Sequence, residues 1–391
     1  MSQPQSQPKP QTQSKPRYVY IDLLRGWAVF VMIEVHVTNT FMLPQIRLEP
    51  WFACLNFING LVAPSFLFVA GYAFAIVADR KWKDYLSFNA VFWKQVGRIL
   101  QIWAIGYALH LPFFSFHKLA FLIGWDEWTS FWPVDVLQCI ALSLLVMLVL
   151  VVAARTQRLY FGLLVLLAAI VSFSTPEVST LNVDNWLSLP FSSYVNTLHS
   201  SLFPLFPWMS FLLFGGVAGQ CYLFSKGRIP EGVFFKYVLF GGIGLIVLSI
   251  VARILPWTLY PPHDFWVASP EFLFIRLGIV IIILSSLWFW EHRFKSQRSL
   301  VSLLGSESLV TYTLHLIVIY GMIFGGNNLS SIIGQTCSVP EIAGMSALLI
   351  AAMGGTAFVW NSLKKKSMLH ARVLQYSILG VLLLVFFTKP Y

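Results

Sequence analysis

The sequence predicts an all-α protein that crosses a lipid bilayer about eleven times. Hydrophobic residues make up 57% of the 391-residue chain and charged residues only 11%, whereas a soluble globular domain has about 25% charged residues. Apolar runs of about 20 residues, the length that an α-helix needs to span the hydrocarbon core, recur along the whole chain. Lys and Arg are concentrated in alternate connections between these runs, which is typical of a multi-pass membrane protein.

The spans can be placed in order along the chain. Residues 1–17 form a tail rich in Gln, Ser, Pro and Lys, which we predict to be disordered. Residues 18–391 then form one transmembrane domain, and the full-length first apolar segment has no cleavage site for a signal peptidase. Eleven spans are predicted, the fifth of them short: 20–43, 56–78, 94–114, 133–153, 159–174, 201–223, 234–255, 271–290, 302–323, 341–361 and 373–388.

The charge distribution predicts the orientation of the chain. Twenty of the 26 Lys and Arg residues lie in the tail and in every second connection, and three lie in the opposite set. The positive-inside rule therefore predicts a cytoplasmic N-terminus, with a cytoplasmic tail, and an external C-terminus. The same bias explains the net charge of +10, so no nucleic-acid partner is expected.

Small residues and cysteines add two expectations. Gly215–Gly219 and Gly321–Gly325 have the G-x-x-x-G spacing that predicts close packing between helices. The four cysteines show no metal-ligand spacing, so no metal site is expected.

The first predicted span is unusual because it carries four ionisable residues in an apolar segment. Such residues are costly in hydrocarbon and indicate a functional site. Arg25 and His36 are eleven residues apart, about three helical turns, so they share one face and lie roughly 16 Å apart along the axis. Asp22 precedes Arg25 by three residues and can pair with it. Two polar residues follow His36 on the same side of the helix: Asn39 and Thr40.

Five short motifs link this stripe to a known superfamily. Residues 22–28 read DLLRGWA, residues 56–71 read NFINGLVAPSFLFVAG, and residues 135–142 read DVLQCIAL. Two weaker segments follow, PLFPW at 204–208 and GSESLVTYTLH at 305–315. Together they resemble the transmembrane acyltransferase superfamily. It includes the acyltransferase-3 proteins, which share an R-x10-H pattern, and the catalytic domain of heparan-α-glucosaminide N-acetyltransferase. The resemblance to the second group is closer.

The resemblance implies a bundle that takes acetyl-CoA from the cytoplasm and delivers the acetyl group to a sugar amine or hydroxyl across the membrane. One departure matters. The animal lysosomal enzyme of this group carries Asn where His36 stands, with its catalytic His in the following external loop, and here residues 44–55 contain no His. The roles known for that enzyme are therefore not transferred. His36 is more similar to the acyltransferase-3 pattern and to bacterial relatives, so we expect a bacterial inner (plasma) membrane.

Site residues follow from the stripe and the resemblance together. The expected catalytic residue is His36, as general base or nucleophile, assisted by Arg25 and its partner Asp22. The alternative for His36 is a structural histidine hydrogen-bonded between helices. The alternative for Arg25 and Asp22 is an ion pair that fixes helix packing. Acetyl-CoA phosphates are expected to meet Arg25, Lys94 and Arg98, although the last two also fit positive-inside anchoring. The expected acceptor-binding residues are Asn39, Thr40, Asp135 and His315, and core hydrogen bonding is the alternative for His315.

Three functions compete at this stage. The first is the membrane O- or N-acyltransferase, with acetyl-CoA as co-substrate and an extracytoplasmic sugar or glycan as acceptor. A solute or proton-coupled transporter is the second, because buried Arg, His and Asp also form proton relays. The third is a structural subunit of a membrane complex. The expected partners are the bilayer, the acyl-CoA donor and the acceptor, with a homodimer as a candidate assembly.

Overall fold

The computed structural model describes residues 18–255, 260–294, 299–321 and 327–390, and its regular elements within these ranges are helices. The predicted disordered tail, residues 1–17, lies outside the described residues, as does Gly325 of the second G-x-x-x-G motif. The helices that build the bundle are numbered here in chain order: α1 (Val19–Phe41), α2 (Pro50–Asn59), α3 (Val62–Arg80), α4 (Ala90–Leu109), α5 (Val136–Ala154), α6 (Gln157–Val178), α7 (Leu205–Ser225), α8 (Glu231–Ile254), α9 (Pro270–Phe294), α10 (Leu300–Ser306), α11 (Ser308–Tyr320), α12 (Val339–Lys366) and α13 (Met368–Thr388).

Short helical turns lie in the connections between these helices. They are Pro44–Leu48, Trp82–Leu86, Phe116–Phe121, Trp125–Trp128, Thr129–Phe131, Leu189–Ser192, Thr197–His199, Phe265–Ala268 and Leu329–Ile333.

The lengths and apolar character of the helices confirm an all-α polytopic membrane protein. Among the described residues, eight helical segments are long and apolar enough to cross a membrane, and nine if the bent pair α10–α11 forms one span. The first and third predicted spans correspond to α1 and α4, which have 23 and 20 residues and are not among those eight. A helix thus occupies each of the eleven predicted positions, and the count of eleven crossings stays a prediction.

The ninth predicted span, 302–323, was wrong as a single helix. α10 and α11 meet at Glu307 with a bend of 88°. The Glu307 side chain is only 5% exposed, and its carboxylate accepts hydrogen bonds from Asn361 Nδ2 at 3.0 Å and Lys364 Nζ at 2.6 Å, both on α12. A buried carboxylate needs such partners, and the break in the helix lets Glu307 reach them.

The fifth predicted span was also wrong in its length. α6 has 22 residues and continues to Val178 rather than ending near residue 174. The polar run at its end resembles a loop in the sequence. In the structure the hydroxyls of Ser172, Ser174 and Thr175 donate to main-chain carbonyls four residues earlier. These bonds give each hydroxyl a partner within the helix, so the polar run does not need water or a loop to satisfy it.

Close helix crossings set the geometry around Arg25. A Cβ added at Gly26 would lie 1.8 Å from the carbonyl oxygen of Val301, and one at Gly305 would lie 1.8 Å from that of Asp22. α10 therefore lies directly against the first turns of α1, and this contact places the start of α11 beside Arg25. The predicted close packing at Gly215–Gly219 is confirmed, since a Cβ at Gly215 would lie 1.9 Å from the carbonyl oxygen of Phe68 on α3.

Candidate functional site

A cavity of about 310 Å³ lies between α1, α3, α4, α5 and α11. α3 contributes Phe66 and Val77 to its wall, eleven residues apart, so the cavity extends roughly 16 Å along the bundle. Most of the wall is apolar. Its polar side chains come from α1, α4 and α11: Arg25, Gln95, Arg98, Ser308 and Tyr312.

The predicted donor-binding residues separate into two groups. Arg25 and Arg98 face the same cavity, although they are 73 positions apart in the sequence. Arg25 Nη1 lies 4.0 Å from Asp22 Oδ1, and the arginine side chain remains 29% exposed, so the predicted pair leaves the guanidinium accessible. Lys94 is exposed and does not line this cavity within the described part of the chain. Gln95 was missed, although it lies three residues before Arg98 and so on the same face of α4.

His36 and His315 meet between α1 and α11. Their ring centroids are 5.1 Å apart, and the ring of Tyr320 lies 5.9 Å from that of His36. His315 is fully buried, and its Nδ1 lies 2.9 Å from the carbonyl oxygen of Thr311. The two histidines that the sequence singled out on different helices are therefore neighbours.

Asp135 connects α5 to these histidines. Its Oδ1 accepts a hydrogen bond of 2.7 Å from the amide of Val136 and so caps α5. Its Oδ2 accepts from the hydroxyl of Tyr312 at 3.4 Å and lies 3.6 Å from Nε2 of His110. The carboxylate is also close enough to His36 to interact with it electrostatically. His110 was unassigned by the sequence and Tyr312 received no role, because both contacts depend on how α4 and α11 pack on α5.

Thr40 and Asn39 have different surroundings at the end of α1. The hydroxyl of Thr40 lies 2.5 Å from that of Tyr320, so Thr40 belongs to the same polar cluster as His36. Asn39 is exposed, and its main-chain carbonyl accepts a hydrogen bond of 2.7 Å from Arg47 Nη2. Of these two predicted acceptor-binding residues, Thr40 therefore lies inside the cluster and Asn39 lies at the surface.

Tyr312 joins the cavity to the histidines. Its side chain lines the cavity that Arg25 and Arg98 share, its hydroxyl donates to Asp135, and its ring centroid lies 5.7 Å from that of His315. A long flexible molecule whose anionic end is held by the two arginines would extend along the cavity towards the two imidazoles. Imidazoles act as general bases or nucleophiles, so the arrangement suits group transfer.

Comparison with known protein families identifies a relationship. A family model described as "Heparan-alpha-glucosaminide N-acetyltransferase, catalytic" matches residues 17–242, more than half of the chain. The matched range includes Arg25, His36, Arg98 and Asp135, whereas His315 lies beyond it. No curated protein matches the chain significantly.

Proposed function

Because this chain belongs to the heparan-alpha-glucosaminide N-acetyltransferase catalytic family, we propose that it transfers an acetyl group from cytoplasmic acetyl-CoA to a sugar or glycan on the opposite side of the membrane. Membership makes the protein an integral membrane acyltransferase. The donor, the sidedness and the residue roles are the parts that we propose. The acceptor atom is a hydroxyl or an amine.

The cavity supports the choice of donor. CoA carries several phosphate groups, and the planar guanidinium forks of Arg25 and Arg98 are suited to bind phosphate oxygens. The largely apolar remainder of the wall suits an extended arm that ends in a thioester. Asp22 holds Arg25 from one side at 4.0 Å, which orients the guanidinium without covering it. Lys94 lies one turn further from the cavity and contributes to the positive potential at its entrance.

His36 is the residue that we propose for the chemical step. It lies about 16 Å from Arg25 along α1 and contacts His315, whose ring in turn contacts Tyr312 at the cavity wall. Its imidazole either accepts the acetyl group from the thioester or removes the proton of the acceptor as the new bond forms. Thr40 and Asp135 border the same space and would hold the acceptor, and exposed Asn39 would meet it first.

Charge supports the proposed direction of transfer. Arg25 and Arg98 lie near the ends of α1 and α4 that join the Lys- and Arg-rich segments, which the positive-inside rule assigns to the cytoplasm. Asn39 and Thr40 lie near the other end of α1, and Asp135 lies beside His110 at the other end of α4. Donor and acceptor would therefore approach His36 from opposite sides.

The observation that carries this proposal is that Tyr312 lines the cavity shared with Arg25 and Arg98 and also contacts Asp135 and His315. The test is acetyl transfer in proteoliposomes, with labelled acetyl-CoA outside and amino sugars and glycans inside, and the reverse. His36→Ala should lose transfer by at least ~100-fold, the scale of a general acid–base group, while it still binds CoA and shows the same thermal stabilisation by CoA.

Near-normal transfer by His36→Ala would return His36 to a packing role. Solute-driven proton flux without consumption of acetyl-CoA would instead identify the protein as a transporter.

A further inference from the structure

The local structure of α11 fixes the hydrogen positions on His315. Its Nδ1 lies 2.9 Å from the carbonyl oxygen of Thr311, four residues earlier in the same helix. A carbonyl oxygen can only accept, so Nδ1 carries the hydrogen. In a neutral imidazole the other nitrogen, Nε2, then has a free lone pair. The helix itself therefore presents His315 as a proton acceptor.

The Nε2 lone pair is the feature that sets His315 apart. His315 Nε2 is buried and, among the described residues, makes no hydrogen bond. Buried polar atoms are nearly always paired, so an unpaired one at a candidate site calls for an explanation. The nearest ring across the helix interface is that of His36, with centroids 5.1 Å apart. An imidazole that acts only by packing would not need to keep its basic nitrogen unpaired beside a second imidazole.

The ring of His315 is also held in place. α11 begins at the bend at Glu307, whose carboxylate is bound by Asn361 and Lys364 of α12. Tyr312, one turn before His315, lines the cavity and contacts the ring of His315. The proposed path of the donor arm therefore ends beside His315, whereas the acceptor would approach from the side of Thr40.

Together these observations point to a second proton-transfer residue. Given the acyl transfer proposed above, we propose that His315 takes a proton from His36 and returns it to the CoA sulfur. The O–H or N–H bond of the acceptor breaks as its oxygen or nitrogen bonds to the acetyl carbon. That proton goes to the free nitrogen of His36, and the proton on the other nitrogen of His36 moves to Nε2 of His315.

The proton count closes when the thiol leaves. The C–S bond breaks with its electron pair on sulfur, and His315 protonates the thiolate, so both imidazoles end neutral. His315 has the same role if His36 is acetylated first. N-acetylation makes the remaining N–H of His36 acidic, and His315 removes that proton. In either order one proton is lost at the acceptor and one is gained at the CoA sulfur.

The chain offers a matched control for a test of this role. His292 on α9 makes the same bond, with Nδ1 2.9 Å from the carbonyl oxygen of Trp288. Its ring stacks on Trp288 at 3.8 Å rather than facing another imidazole. His292 thus shares the local hydrogen bond of His315 without its neighbour, so His292→Ala should keep wild-type transfer.

Two variants separate proton transfer from packing. His315→Asn keeps an amide donor for the carbonyl of Thr311 but has no nitrogen at the position of Nε2. In proteoliposomes it should lower kcat by at least ~100-fold and leave KM for acetyl-CoA within about two-fold. His315→Ala leaves a space, and added imidazole should restore transfer in a saturable manner, which a purely structural loss would not show.

The outcomes are distinguishable. Near-wild-type kcat in His315→Asn, with transfer still dependent on His36, would overturn this inference alone. Loss in His315→Ala without rescue by imidazole, accompanied by a lower Tm, would assign His315 a structural role and also overturn it. Absence of transfer in the wild-type protein would remove the proposed function and this inference with it.

Discussion

The donor site can be tested with two basic residues on one helix. Both side chains are exposed, but Arg98 lines the cavity together with Arg25, whereas Lys94, one turn earlier on α4, is not among the residues that line it. A hydrogen bond to a charged partner contributes about 1.5–3 kcal/mol, and 1.4 kcal/mol corresponds to a tenfold change in Kd. Arg98→Gln should therefore weaken CoA binding by roughly 10- to 100-fold. Lys94 would face the phosphates only across solvent, where an ion pair contributes about 0–1 kcal/mol, so Lys94→Gln should change Kd by no more than about five-fold.

The measurement is titration calorimetry of CoA into protein in nanodiscs, repeated at two salt concentrations. Because both side chains are exposed, salt should weaken both contributions, and the effect of Arg98→Gln should stay the larger one at both concentrations. Both variants must have the same Tm as the wild-type protein without CoA. Equal effects of the two substitutions, or a larger one at Lys94, would show that the phosphates bind outside this cavity and would refute the reasoning.

Two further predictions concern the bend and the orientation. Lys364→Met removes the cation that faces Glu307. Because the side chain of Glu307 is 5% exposed and that of Lys364 is 30% exposed, we expect the free energy of unfolding to fall by about 3 kcal/mol. Thermal denaturation measures this loss, and adding Glu307→Gln should restore the stability. An unchanged Tm would show that the pair does not hold the bend. For orientation, single cysteines at 81–84 and 364–366, in a variant without the exposed Cys54, should be shielded from an impermeant external thiol reagent and those at 180–186 should react. The reverse pattern would contradict the proposed direction of transfer.

Helical periodicity was sufficient to predict part of the candidate site. The interval from Arg25 to His36 depends only on the regular geometry of one helix, so a single segment of sequence contains it. Periodicity also shows its limits at the end of α1. Thr40 follows His36 by four residues and contacts Tyr320, whereas Asn39, three residues on, is rotated away by roughly 60° at ~3.6 residues per turn and is exposed.

Contacts between distant segments were beyond the reach of the sequence pattern. Hydropathy described 302–323 as one apolar run, and the partner that stabilises its break, Lys364, lies 57 residues after Glu307. Arg25 and Arg98 line one cavity, and Tyr312 donates a hydrogen bond to Asp135, only because of how α1, α4, α5 and α11 pack. Such arrangements result from tertiary packing, and the local spacing of residues in a single sequence does not reveal them.

For the proposed transfer, the bend at Glu307 bears on the distance that the acetyl group would have to cross. α11 has 13 residues and is therefore about 20 Å long, whereas the hydrocarbon core of a bilayer is about 30 Å thick. α10 turns by 88° at the Arg25 end, so the axis of α11 alone does not cover that thickness. In the proposed reaction, the cavity that begins beside α10 would carry the arm of CoA over part of this distance. CoA need not move through the membrane, and only its two-carbon group passes from one aqueous side to the other.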